Sequence, residues 1–180
     1  NWVETNNTAT FGIVEQRVVD AISSTLHLHA DGWRSRGIGD SVNATNISKR
    51  KVGDCDYQNT ALRSIVAYES HGGTLTDVYL NDHMRTLQKV LELRVDELSI
   101  SADLGEWSIR VVFIAHALAL AAPAPRVICG IPVQIELRTF EDMQGRHVAL
   151  AVWNQYLLEP LQANRTPIEV KQSFMEVVTA

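Results

Sequence analysis

The run Trp107-Ser108-Ile109-Arg110-Val111-Val112-Phe113-Ile114-Ala115-His116-Ala117 decides the fold. It is rich in β-branched side chains, and its apolar residues fall on both faces of an extended chain. Such a run predicts a central strand covered on both sides. Its tail, Leu118–Ala122, fits either a strand or a helix. Downstream, Val133, Ile135 and Leu137 alternate with Gln134, Glu136 and Arg138, the period-two pattern of a strand with one wet face. Pro132 stands at its start, where a missing N–H does least harm. Glu141–Gly145 predicts a turn and His147–Trp153 a third strand. Together they predict an antiparallel meander of three or more strands over about 107–153.

Upstream the period changes to that of helices. Val14, Val18, Ala21, Ile22 and Leu26 predict a first helix over Ile13–Leu26, capped by Thr8 or Thr10. Leu62, Ile65, Val66 and Glu69 predict a second from about Tyr57 to Ser70, capped by Asp56 and stopped by Gly72-Gly73. Leu80, His83, Met84, Leu87, Val90 and Leu91 form the stripe of a third, which starts after Thr74 or Thr76 and runs to about Arg94. Thr166-Pro167-Ile168-Glu169 opens a last helix, with Thr at the cap, Pro in the first turn and Glu positioned to reach back. Val170, Phe174 and Val177 give it an inward face. Three N-terminal helices and one C-terminal helix on a sheet make an α+β protein, and residues 1–180 read as a single domain.

A chain of 180 residues buries an ample core for one domain. Its net charge of −5 argues against nucleic acid or anionic lipid as a partner. Residues 1–50 balance at 5 basic and 5 acidic, so the excess lies wholly in 51–180. The longest apolar run, Val111–Ala122, contains His116 and falls short of the roughly 18–20 residues that span a bilayer. The chain opens Asn1-Trp2 with no basic and apolar leader, which predicts either that any signal peptide has been removed or that the sequence has been trimmed.

Asn-x-Ser/Thr occurs at Asn6, Asn43, Asn46 and Asn164, where chance predicts roughly one. This points to a glycoprotein of the secretory pathway. Asn43 and Asn46 sit in the most polar segment, whereas Pro167 follows the Asn164 motif closely. In that compartment the isolated pair Cys55 and Cys129 is expected to form a disulfide.

Residues 30–54 show no periodicity and hold four glycines and the run Lys49-Arg50-Lys51. A long structureless loop inside a domain is functional or disordered, and polar loop tips are where proteases cut. Lys49-Arg50 is a dibasic pair of the kind that secretory processing proteases recognise, although such pairs are also common on solvated surfaces. Cleavage there would divide a helical segment, 1–50, from a main body, 51–180. The two pieces would stay associated through Val14, Val18, Ile22 and Leu26.

His27, His29 and Asp31 form His-x-His-x-Asp. On an extended chain all three side chains share one face, and two imidazoles and a carboxylate can hold zinc. The motif resembles the start of the metal motif of metallo-β-lactamase-like hydrolases. It departs from that motif at Gly32, where a further His is needed, and a helix through His29 would fan the three apart. Ser70-His71-Gly72-Gly73 resembles an oxyanion loop, but no Gly-x-Ser-x-Gly elbow accompanies it. His116 and His147 fall on predicted adjacent strands, where core histidines are common. Carboxylates flank Cys55 in Asp54-Cys55-Asp56, which argues against a nucleophilic thiol. Asp96-Glu97 and Glu141-Asp142 read as solvated turns.

These features favour a secreted, non-enzymatic interaction protein, effector-like or similar in organisation to two-chain killer toxins. It would act on a protein or cell-surface target and need no cofactor. The alternative is a small secreted metal-dependent hydrolase using His27, His29 and Asp31.

Overall fold

The computed structural model describes residues 12–28, 30–41, 44–143, 147–163 and 166–178. The central run is indeed a strand, β4 (Ser108–Leu118), and the alternating segment is β6 (Ile131–Thr139). With β1 (Trp33–Arg36), β2 (Cys55–Asn59), β3 (Ser64–Leu75) and β5 (Arg126–Ile128) they form one sheet, ordered β1-β2-β3-β4-β6-β5. The expected α+β class holds, but the meander does not. β3, β4 and β6 run parallel, and only β1–β2, β2–β3 and β5–β6 are antiparallel.

Two misassigned segments explain the difference. Residues 57–70 form β2, a turn and β3 instead of a helix. Ile65 and Val66 are buried on opposite faces of β3, while Leu62 stands 65% exposed in the turn. A strand covered on both sides shows no alternation, so its apolar residues fell on helical spacing by coincidence. Gly72 and Gly73 lie within β3 at a break in register between His71 and Thr74. Residues 147–153, expected as a strand, instead lead into α5 (Leu150–Trp153).

The parallel pair β3–β4 requires a crossover connection, and α3 (Asp77–Glu92) supplies it. Thr76 caps this helix, its hydroxyl accepting from the Tyr79 amide. The predicted stripe Leu80, His83, Met84, Leu87, Val90 and Leu91 is its buried face. It packs on Ile65, Ala67, Ile109, Val111, Phe113, Val133 and Ile135, joined by Leu98 of α4 (Val95–Ser99) and by Trp107, whose Nε1 donates to the Leu98 carbonyl.

The opposite sheet face is covered by α1 (Ile13–His27), which begins after Gly12, and by the C-terminal turns. The expected caps Thr8 and Thr10 lie outside the described residues. Those turns run through α5, a wide turn at Asn154–Leu158 and α6 (Glu159–Gln162). The last helix, α7 (Ile168–Val178), forms where predicted. Thr166 there donates its hydroxyl to the Pro160 carbonyl. Val14, Leu161 and Val170 make a cluster of their own.

The segment 30–54 is also more ordered than its composition suggests. It contains β1 at the sheet edge and α2 (Asn46–Lys49), which Thr45 caps. Among the described residues no helix is long and apolar enough to cross a membrane.

Candidate functional site

The cover on the α1 side of the sheet is incomplete. Along β4, Val112 and Ile114 point to that side and are buried, while Ser108 and Arg110 point the same way and are exposed. On β6 the same side carries Pro132, Gln134, Glu136 and Arg138, three of them exposed and Glu136 partly so. The polar residues that interrupt the two apolar patterns thus mark where the cover ends. Two adjoining hollows lie there, of about 290 and 470 Å³, and both are lined by His27 and Arg110. The smaller adds Leu26, Tyr68, Val112, Glu136, Arg138 and Met143. The larger adds chiefly Trp33, Val66, Pro125, Pro132 and Val133.

Parallel register sets the charges. Arg110 pairs with Gln134 across β4–β6, which places its guanidinium diagonally 3.5 Å from the Glu136 carboxylate. Arg138, two residues along β6, meets the other oxygen of Glu136 at 2.5 Å. Two guanidiniums therefore share one carboxylate, a net charge of about +1 in a chain of net −5.

His27 closes the groove from α1. Its Nε2 lies 2.9 Å from the Tyr68 hydroxyl. Its ring stacks on Tyr57 at 4.6 Å and stands 4.9 Å from Trp33. Burial, reinforced by the Arg110 charge, lowers its pKa from 6.5 to about 4. The imidazole is neutral near pH 7 and a weak base. Behind it, Ser23 links the Tyr57 hydroxyl (2.8 Å) to the Cys55 thiol (3.6 Å).

A second polar group is sealed inside. The Glu69 carboxylate receives the Tyr79 hydroxyl at 3.1 Å and the His83 Nδ1 at 3.2 Å. Burial opposes charge on both, yet their attraction prevails, lowering the Glu69 pKa and raising that of His83. Arg94, wholly buried, donates to Asp56 and Gln58. Asp54 accepts both the amide and the hydroxyl of Ser70. Burial and the nearby Glu69 charge raise its pKa to about 7. These groups bind one another and tie 51–58 to β3 and α3; the groove does not reach them.

The residues singled out from sequence are mostly dispersed. His27 ends α1 rather than lying on a strand, so period two does not bring it beside Asp31. Asp31 is exposed in a turn, its carbonyl accepting from Asn59, and His29 lies outside the described residues. Among the described residues no group of three or more His, Cys, Asp or Glu is placed to hold a metal ion.

The expected disulfide is absent: Cys55 and Cys129 are free. Cys55 is buried in β2 under α1, and Cys129 turns from β5 to β6 against the α3 side. β3, β4 and β6 stand between β2 and β5, so the two thiols are separated by about 15 Å or more as well as by the sheet itself. A disulfide needs Cα atoms within about 7 Å. Burial raises both thiol pKa values, so neither is an activated nucleophile.

Of the glycosylation motifs, Asn46 starts α2 and is partly exposed, while Asn6, Asn43 and Asn164 lie outside the described residues. Lys49 and Arg50 are exposed, but the Arg50 carbonyl accepts from Arg36 at 3.1 Å and from Arg94 at 3.5 Å. Lys51 is buried and donates to the Asp54 carbonyl. Ser70-His71-Gly72-Gly73 is strand rather than loop. His116 stacks on Phe140 and lies 3.4 Å from Glu15, and His147 is in no strand. Glu97 binds Arg36 instead of facing only solvent.

No family model, no curated protein and no solved structure matches the chain. With the disulfide gone, the structure and these comparisons lend no support to the toxin, effector, processing or secretory readings.

Proposed function

We propose that this chain is a non-enzymatic binding protein that recognises its target through the uncovered part of the sheet beside His27. The observation that carries this is the state of the groups in the groove. His27 is neutral, hydrogen-bonded and enclosed by aromatic rings, and Arg110 and Arg138 are held by Glu136. These are fixed recognition groups of the kind that orient a ligand, rather than a nucleophile with an aligned base. The alternative of a metal-dependent hydrolase keeps His27 but has lost the strand that would align its motif.

Metal analysis of the purified, dialysed chain tests the choice. Substoichiometric zinc is expected. One zinc per chain, lost in both His27→Ala and Asp31→Ala, would overturn the binding reading in favour of the hydrolase. A secretory location is proposed on the glycosylation motifs alone. It predicts a glycosidase-sensitive mass shift on expression in a eukaryotic secretory host, abolished by Asn43→Gln together with Asn46→Gln.

A further inference from the structure

We propose that the groove takes one small molecule made of a flat apolar body and an anionic head, with the body in the larger hollow and the head in the smaller one. The inference rests on the reading of the chain as a binding protein and adds the class of ligand.

The two hollows differ in chemistry. The larger is walled by Trp33, Val66, Pro125, Pro132 and Val133, so it offers aromatic and aliphatic surface. Burying a flat ring against such a wall contributes about 25 cal/mol per Å² of apolar area removed from water. The smaller contains Arg110 and Arg138. The charged groups that line the hollows are Arg110, Arg138 and Glu136, and the His27 imidazole lies there against the Tyr68 hydroxyl. With His27 neutral, the local balance is +1, opposite in sign to the chain as a whole. Each guanidinium has five N–H donors in a planar fork, and one carboxylate accepts only part of them. A carboxylate, sulfonate or phosphate head fits the remaining donors. Arg110 lines both hollows, so it stands where head and body would join.

The combined space also suits such a ligand. Small-molecule sites commonly enclose about 300–1,000 Å³, lined mainly by apolar groups with a few placed polar ones. The two hollows together fall within that range.

Fluorescence titration with two probes tests this on the full folded chain. 8-Anilinonaphthalene-1-sulfonate joins a flat apolar body to an anion, and N-phenyl-1-naphthylamine has the same body without charge. The sulfonate is expected to saturate at one per chain and to bind roughly tenfold tighter than the neutral probe. Arg110→Ala and Arg138→Ala should each weaken the sulfonate several-fold and the neutral probe much less. Ser108→Trp, from an exposed position lining the larger hollow, should block both probes. Arg85→Ala, on α3 at the opposite sheet face, should change neither. Circular dichroism and thermal unfolding confirm that each variant is folded. Equal affinity for both probes, insensitivity of the sulfonate to Arg110→Ala, or no saturable binding would overturn the ligand class. Those results would leave the binding reading in place, since that reading falls only with stoichiometric metal or turnover.

Discussion

The two faces of the sheet are built to different standards. On the α3 side, residues from β3, β4 and β6 meet a helix stripe directly, and Phe113, Val111 and Leu87 are wholly buried. On the α1 side the cover stops halfway along β4, where Arg110 and Ser108 follow Val112 into the open, and β6 alongside presents Gln134, Glu136 and Arg138. Each strand crosses both regimes, so propensity for extended structure does not separate them. The difference is that one face is closed by packing and the other is closed only where a stripe from α1 and the C-terminal turns reaches. Stability should concentrate on the first face and recognition on the open part of the second.

The largest effect should come from emptying the closed face. Phe113→Ala is expected to cost about 3–5 kcal/mol in urea unfolding; a loss below about 1 kcal/mol would show that the faces do not differ as described. Arg94→Met strands a buried Asp56 carboxylate while keeping much of the volume, and about 3 kcal/mol should be lost. A neutral or stabilised variant would mean that Asp56 finds another partner.

The junction between open and closed parts should announce itself through pH. His27 has an ordinary pKa of 6.5 and about 4 when folded. Below 6.5 the unfolded chain takes up a proton that the folded chain refuses, so this contribution is present above 6.5 and lost as pH falls to about 4. The loss should be on the order of 2–3 kcal/mol. Asp20 and Asp54 act in the opposite sense. Burial raises them from 3.8 to about 6 and 7, so their contribution is present below 3.8 and lost as pH rises toward those values. The difference between unfolding curves of the native chain and His27→Gln isolates the imidazole, and a difference independent of pH would place His27 in water. The smallest effect belongs to the open strands. Gln134→Ala should stay within about 0.5 kcal/mol of the native chain in the same urea assay.

Legibility in the sequence followed the same division. α1, α3, β4, β6 and α7 were readable because each has a clear periodicity or, in β4, an unbroken apolar run. β3 was not, because burial on both faces erased its alternation and Leu62, Ile65, Val66 and Glu69 mimicked a helix. Losing β3 removed the parallel partner of β4, and the meander followed from that error. The site was legible in fragments. Gln134, Glu136 and Arg138 read correctly as a wet face, and His27 stood out for a different chemistry. Nothing short of the β4–β6 register could join Arg110 to Glu136, and nothing short of the end of α1 could set His27 above Tyr68.

The cluster of Val14, Leu161 and Val170 has a consequence in time. A ribosome adds about 5–20 residues per second, so Val14 emerges on the order of ten or more seconds before the two side chains that cover it exist. Through that interval this part of α1 has no native partner for its apolar face. Completion of this cluster therefore waits for α6 and α7, and α1 is a segment in need of a chaperone while synthesis proceeds.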